Sequence, residues 1–180
     1  MKLIILDRDG VINLGSDQFI KSPDEWKPIP GSLEAIARLT REGWRVVVAI
    51  NESGLARGLF EMETLNAIHA KMHKAVTQAG GRIEAVFYCP HAADMNCDCR
   101  KPRTGLFGEI AARYGRDLQD VPVVGDSLRD LLAAATVGAR PVLVKTGKGE
   151  KTLETGGMPD NTPVFADLSE VVDALLKGAA

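Results

Sequence analysis

Two carboxylates, Asp7 and Asp9, directly follow the apolar run Leu3-Ile4-Ile5-Leu6 and precede Gly10. They place two negative charges at the end of a short buried strand, an arrangement whose repulsion favours a cation between them. Magnesium, a hard ion that takes oxygen ligands, suits that need. The plain alternative is a solvated turn, since Asp and Gly are ordinary turn residues. Three other places pair a strand end with polar chemistry. Asn51 and Ser53 follow the apolar stretch 44–50, a Cys-rich segment and Lys101 follow 85–88, and Asp126 follows 121–124. Parallel strands would gather these ends on one edge, where open α/β sheets bind ligands.

The segment Asp7-Arg8-Asp9-Gly10-Val11-Ile12-Asn13 resembles the first motif of the haloacid dehalogenase (HAD) superfamily of phosphohydrolases, and Gly125-Asp126-Ser127-Leu128-Arg129-Asp130 resembles its fourth. The resemblance implies that Asp7 is the nucleophile, Asp9 the general acid and base, and Asp126 a metal ligand. The chemistry of the four strand ends is then phosphoryl transfer. Asp7 would attack phosphorus in line and form an aspartyl-phosphate that water hydrolyses. Mg²⁺ would be held by Asp7, Asp126 and Asp9, the last through its backbone carbonyl. Lys101 would stabilise charge on the equatorial oxygens, helped by donors from residues 51–53. Asp130 has two open readings, a contact that holds the loop or a solvated helix carboxylate.

All three cysteines fall within residues 89–99. Cys89-x-His91 followed by Cys97-x-Cys99 supplies four ligands, enough for a closed tetrahedral Zn²⁺ site with no open position, so the zinc would be structural. A disulfide would leave one thiol over. Arg100 and Lys101 follow the last ligand at once, so the metal would also set where they point.

Taken together, residues 7–13, 50–58, 89–102 and 125–126 resemble the heptose bisphosphate phosphatases of the same superfamily, with the histidinol-phosphate phosphatases as near relatives. The resemblance covers nearly the whole chain without a large cap insertion. It implies a cytoplasmic, monomeric phosphatase serving ADP-heptose and lipopolysaccharide core synthesis, and sugar contacts at Gly15, Ser16, Asp17 and Gln18. Arg100 suits a second substrate phosphate as a bidentate partner. Histidinol phosphate stays open as an alternative substrate. One stretch departs from the family. Where the second motif there reads Thr-Asn-Gln-Ser-Gly, this chain has Ile50-Asn51-Glu52-Ser53-Gly54. Ile50 lacks the hydroxyl donor, and Glu52 brings a carboxylate towards an anionic substrate. Phosphate binding should survive and turnover should be weak; a phosphate-binding protein that turns over poorly is the non-enzymatic side of that reading.

The elements that must position these groups alternate. Strands are expected at 3–6, 44–50, 85–88, 121–124, 141–144 and near Val164, and helices at 32–42, 61–79, 104–114, 128–136 and 169–176. Ser32 reads as an N-cap. Residues 14–30, with Pro23, Trp26, Pro28 and Pro30, read as a loop able to lie over the site, and 146–162 as irregular. The expected fold is α/β: a Rossmann-like three-layer α/β/α sandwich with a mainly parallel sheet, no large cap and a small zinc-binding loop, in one domain over 1–180. His69 and His73 stand at i and i+4, but without a third ligand they read as a solvated helix face.

Composition narrows the partners. The 180 residues are 45% apolar and 26% charged with a net charge of −2, a balance that offers nucleic acid no basic field. Neither nucleotide-phosphate loop, G-x-x-x-x-G-K-[ST] nor G-x-G-x-x-G, is present. Without signal-peptide organisation at Met1-Lys2 or an apolar run of about 18 residues, the expectation is a cytoplasmic protein with no membrane partner. The sequon at Asn51 carries no weight in that setting.

Overall fold

The computed structural model describes residues 1–178. The apolar runs form six strands: β1 (Lys2–Leu6), β2 (Trp44–Asn51), β3 (Ala85–Cys89), β4 (Pro122–Gly125), β5 (Arg140–Val144) and β6 (Val164–Phe165). They make one sheet in the order β3-β2-β1-β4-β5-β6, and every neighbouring pair is parallel. The described helices are α1 (Ser32–Arg41), α2 (Met62–Gln78), α3 (Gly105–Tyr114), α4 (Leu128–Thr136), α5 (Gly149–Thr155) and α6 (Leu168–Leu176).

Alternation along β1 explains the layers. Ile4 and Leu6 pack on one face with Ile36, Leu39, Ile68, Met72 and Val172 from α1, α2 and α6. Leu3 and Ile5 pack on the other with Leu106, Phe107, Ile110 and Ala133 from α3 and α4. Side chains of successive strand residues point to opposite faces, so an unbroken apolar run is what a strand covered on both sides requires. Burying a side chain such as Ile5 contributes about 1.5–3 kcal/mol. The strand that carries the Asp pair at its end is therefore among the most firmly held. It also lies where the chain order reverses, with β2 on one side and β4 on the other, so a crevice opens beyond its carboxyl end.

Two local expectations change. Ser32 is the first residue of α1, and its hydroxyl donates to the Val11 carbonyl at 2.8 Å instead of capping the helix. Gly31, in the left-handed region at φ 88°, is the cap residue. Residues 146–162 contain α5, a seven-residue helix hidden in the sequence because it has no apolar stripe and begins with glycine. Residues 14–30 hold a single 3-10 turn at Pro23–Glu25, anchored by the buried Trp26.

Candidate active site

The backbone after β1 turns sharply. The Asp7 N–H donates to the Val124 carbonyl at 2.9 Å, tying the end of β1 to β4. The Arg8 carbonyl then accepts from the N–H groups of Val11, Ile12 and Asn13. Gly10 adopts φ 83°, and a side chain there would run into the Asp126 carboxylate. The close approach that glycine permits brings the first and fourth motifs together.

Asp7, Asp126 and Asp130 converge, each offering a carboxylate oxygen within 4.8 Å of the others. Ser127 Oγ donates to Asp126 Oδ1 at 3.0 Å, and the Lys148 N–H donates to Oδ2 at 2.9 Å. Lys101 is buried among them, with Nζ 2.7 Å from Asp130 Oδ1, 3.4 Å from Asp7 Oδ1 and 2.7 Å from the Ala49 carbonyl. Burial raises the Asp7 carboxyl well above its ordinary value; the Asp130 charge adds to this and Lys101 opposes it. Burial and Asp130 likewise raise Asp126. One ammonium thus faces three carboxylates. The excess negative charge, on hard oxygen donors, fits a divalent cation such as Mg²⁺.

Asp9 is placed differently. Its carboxylate turns from this group to Arg8, whose Nε donates to Oδ1 at 2.8 Å, and to Asn13, whose Nδ2 donates to the same oxygen at 3.0 Å. Among magnesium ligands, its side chain is therefore excluded in this arrangement, and only its carbonyl stays eligible. Burial pushes the Asp9 carboxyl up, but the charge and hydrogen bond of Arg8, with Asn13, outweigh that and hold it below its ordinary value. Asp130 is no solvated helix residue. It is 1% exposed, it grips Lys101, and its Oδ2 accepts from the Ser127 N–H at 3.2 Å to cap α4.

The end of β2 forms the next wall. Asn51 bridges to the residue after the Cys-rich segment: its Oδ1 accepts from the Lys101 N–H at 2.9 Å and its Nδ2 donates to the Lys101 carbonyl at 3.0 Å. Ile50, 2% exposed, presents its side chain where the family motif has a hydroxyl. Glu52 does not project freely at the substrate. It is buried and pairs with Arg8 Nη2 at 3.1 Å. His69 is also buried rather than solvated, its Nε2 3.0 Å from Arg8 Nη1. Among the described residues it joins no group of metal ligands, and α2 delivers it to Arg8 instead.

These groups line a cleft of about 430 Å³. Asp7, Asp9, Ile50, Asn51, Glu52, Ser53, Arg100, Lys101 and Asp126 all border it, as do Gly15, Ser16 and Asp17 from the 14–30 loop. Gln18 does not: it is exposed, its N–H turned to Ser16 Oγ. Phe19, Arg57, Ser127, Arg129, Gly147 and Lys148 border the cleft without having been singled out in the sequence. Gly147 and Lys148 were concealed by the same missing periodicity that hid α5. Arg57 and Arg129 lie inside stretches that carry the family resemblance, 50–58 and 125–130, where the motif alone gives them no role, and Arg57 sits over the Phe19 ring at 5.6 Å.

The Cys-rich segment packs against β3. Cys89 Sγ lies 2.8 Å from Cys99 Sγ and 3.6 Å from Cys97 Sγ, and His91 Nδ1 lies 3.5 Å and 3.2 Å from Cys89 and Cys99. These are free cysteines, with separations beyond the roughly 2.05 Å of a disulfide bond. The four ligand atoms fall within 4.8 Å of one another, a soft donor set that fits tetrahedral Zn²⁺.

A parallel Rossmann-like sheet with Asp carboxylates at the end of its central strand, a buried Lys and a fourth-motif Asp facing them defines the class of HAD-like hydrolases. Comparisons agree. Residues 98–171 match the HAD-hydrolase-like family, and residues 2–133 match the family described as polynucleotide kinase 3 phosphatase. D-glycero-β-D-manno-heptose-1,7-bisphosphate 7-phosphatase of Bordetella bronchiseptica is 61% identical over 99% of this chain and 100% of its own length. The enzyme of that name from Pseudomonas putida is 53% identical over 98% of this chain and 100% of its own. The crystal structure of the B. bronchiseptica enzyme complexed with magnesium and phosphate superimposes with a TM-score of 0.98, covering 99% of this chain and all of that one. The chain belongs to the D-glycero-β-D-manno-heptose-1,7-bisphosphate 7-phosphatase family of HAD-like phosphatases.

Proposed function

We propose that this phosphatase removes the 7-phosphate of D-glycero-D-manno-heptose 1,7-bisphosphate, using Asp7 as nucleophile and Asp9 as general acid and base. The observation that carries the reading is a group of guanidiniums that borders the cleft in addition to Lys101. Lys101 suffices for the transferring group beside Asp7, yet Arg57, Arg100 and Arg129 border the same cleft. Burial, followed by repulsion from Arg129, holds the Arg100 guanidinium below its ordinary value, so an anion placed between the two would relieve both. A substrate with a second phosphate supplies that anion, with guanidinium forks suited to bidentate contact.

Asp7, Asp126 and the Asp9 carbonyl are the groups that would hold Mg²⁺. When bound, Mg²⁺ supplies the positive charge that lets the Asp7 carboxylate and an anionic phosphate approach. Lys101 steadies both the Asp7 carboxylate and the charge on the phosphoryl oxygens. Asp7 attacks phosphorus, the bond to the C7 oxygen breaks, and Asp9 gives that oxygen its proton. Asp9 then takes a proton from the water that hydrolyses the aspartyl-phosphate, restoring both residues. Asn51 orients Lys101 by clasping its backbone from both sides.

The four-atom Cys/His cluster supports a structural Zn²⁺ on Cys89, His91, Cys97 and Cys99. The family resemblance supports a monomeric enzyme of the cytoplasm, working in ADP-heptose and lipopolysaccharide core synthesis. No described helix is long and apolar enough to cross a membrane.

The test is phosphate release from heptose 1,7-bisphosphate beside histidinol phosphate, each with and without Mg²⁺. We expect Mg²⁺-dependent release with the bisphosphate preferred, and its loss in Asp7→Asn. Preference for histidinol phosphate, or equal rates in Asp7→Asn and wild type, would overturn the reading.

A further inference from the structure

Arg8 stands between the two aspartates of the first motif, yet its side chain points away from the cleft and is 1% exposed. All three of its nitrogens are engaged, each by a different partner. Nε donates to Asp9 Oδ1 at 2.8 Å, Nη1 meets His69 Nε2 at 3.0 Å, and Nη2 meets Glu52 Oε2 at 3.1 Å. The partners come from three separate elements: the turn after β1, helix α2 and the turn after β2. A planar guanidinium fastened at three corners cannot rotate, so its Nε stays aimed at Asp9.

The histidine's chemical state follows from the donor inventory. Guanidinium has only donors, so His69 Nε2 must accept and the ring proton must sit on Nδ1. A protonated ring would set two cations against each other. Burial and the Arg8 charge lower His69 to about 4, in keeping with a neutral ring.

What reaches Asp9 is a division of labour between its oxygens. Among the described residues, both hydrogen bonds to its carboxylate, from Arg8 Nε and Asn13 Nδ2, fall on Oδ1. Oδ2 is left for the proton. We propose that Glu52 and His69 are positioning residues for the acid step: by locking Arg8 they fix Oδ1 of Asp9 and present Oδ2 to the leaving oxygen. The proton that Oδ2 releases ends on that oxygen as the P–O bond breaks, and Asp9 becomes the carboxylate that Arg8 and Asn13 already solvate. This inference rests on the assignment of Asp9 as the acid.

The test uses kcat/KM, which covers the steps up to phosphoryl transfer, on two esters. An alkyl phosphate such as the heptose bisphosphate needs its leaving oxygen protonated. Para-nitrophenyl phosphate does not, because para-nitrophenolate leaves unaided. His69→Leu removes the acceptor, and His69→Gln restores one through its amide oxygen; Glu52→Leu and Glu52→Gln form a second pair should a His69 variant fail to fold. General acid catalysis is worth about 10²–10⁴ in rate, so each Leu variant should lose at least about tenfold more kcat/KM on the alkyl ester than on the aryl ester. The Gln variants should recover most of the difference. Equal losses on the two esters, or Gln no better than Leu in folded protein, would overturn the positioning role. Asp9→Asn separates this from the underlying assignment. It should show the same ester-selective loss, and if it does not, Asp9 itself is misassigned.

Discussion

Lys101 Nζ lies 2.7 Å from Asp130 Oδ1 and 3.4 Å from Asp7 Oδ1, and both Lys101 and Asp130 are nearly inaccessible to water. The lysine that faces the proposed nucleophile is thus held from behind by a carboxylate in the first turn of α4. Burial alone would lower its ammonium, but Asp130 and then Asp7 outweigh that and keep it charged. Asp130→Asn retains an oxygen to cap α4 and removes the countercharge. Breaking a buried pair on one side costs about 3–5 kcal/mol. Urea unfolding should show a loss of that order. The rate should fall as well, since Lys101 is left to Asp7 alone. Unchanged stability would mean that the pair is not what keeps Lys101 buried.

Glu52 and His69 share Arg8 but titrate in opposition. Burial, with the Asp9 charge opposing Arg8, raises Glu52 from 4.5 to about 7, so between those values the native state keeps a proton the unfolded chain has lost. Its contribution to stability falls as pH rises through that window. His69 is lowered from 6.5 to about 4, so the unfolded chain takes up a proton first and stability falls as pH drops. Across pH 4.5–6.5 the two slopes, each roughly 1.4 kcal/mol per unit, nearly cancel. Relative to wild type, Glu52→Gln should therefore lose stability on acidification in that range and His69→Gln should gain it. Denaturant unfolding at several pH values checks the signs, and variant curves parallel to the wild type would refute them.

Ile50 is where this chain departs from its family motif with most consequence. Glu52 has its charge turned onto Arg8, so the expected penalty of a carboxylate facing substrate shrinks. The missing hydroxyl remains. A preorganised donor is worth about 10²–10³ in rate. Ile50→Thr should raise kcat/KM at least about tenfold even with Glu52 kept. It should also cost on the order of 1–3 kcal/mol of stability, because a hydroxyl enters a fully buried position. No gain in rate would show that Ser53 or another group already donates there.

Zinc is checked by metal analysis of fresh, unchelated protein, which should carry about one Zn²⁺ per chain on Cys89, His91, Cys97 and Cys99. Cys97→Ala should lower the Tm and reduce kcat without touching a proposed catalytic group. The coupling runs through the chain, since Arg100 and Lys101 follow Cys99 at once and Asn51 clasps the Lys101 backbone. Full activity in zinc-free protein would break that link.

Local chemistry made much of this protein legible in its sequence. Six apolar runs of strand length, five amphipathic helical stretches and the polar residues at four strand ends depend on side-chain periodicity and spacing. A parallel α/β sheet leaves little freedom over where such ends meet. The ligand spacing around Cys89 and Cys99 is likewise a property of one short segment. Other relationships needed the folded chain. Nothing in Arg8-Asp9 says that Glu52 and His69, far along the chain, will close on the same guanidinium. A His pair at helical spacing looks the same whether it faces water or a buried arginine. The roles of Ser32, Asp130 and α5 also depend on what packs against them. Burial is a property of the assembled layers, and it turns Glu52 from a carboxylate confronting the substrate into the partner of Arg8.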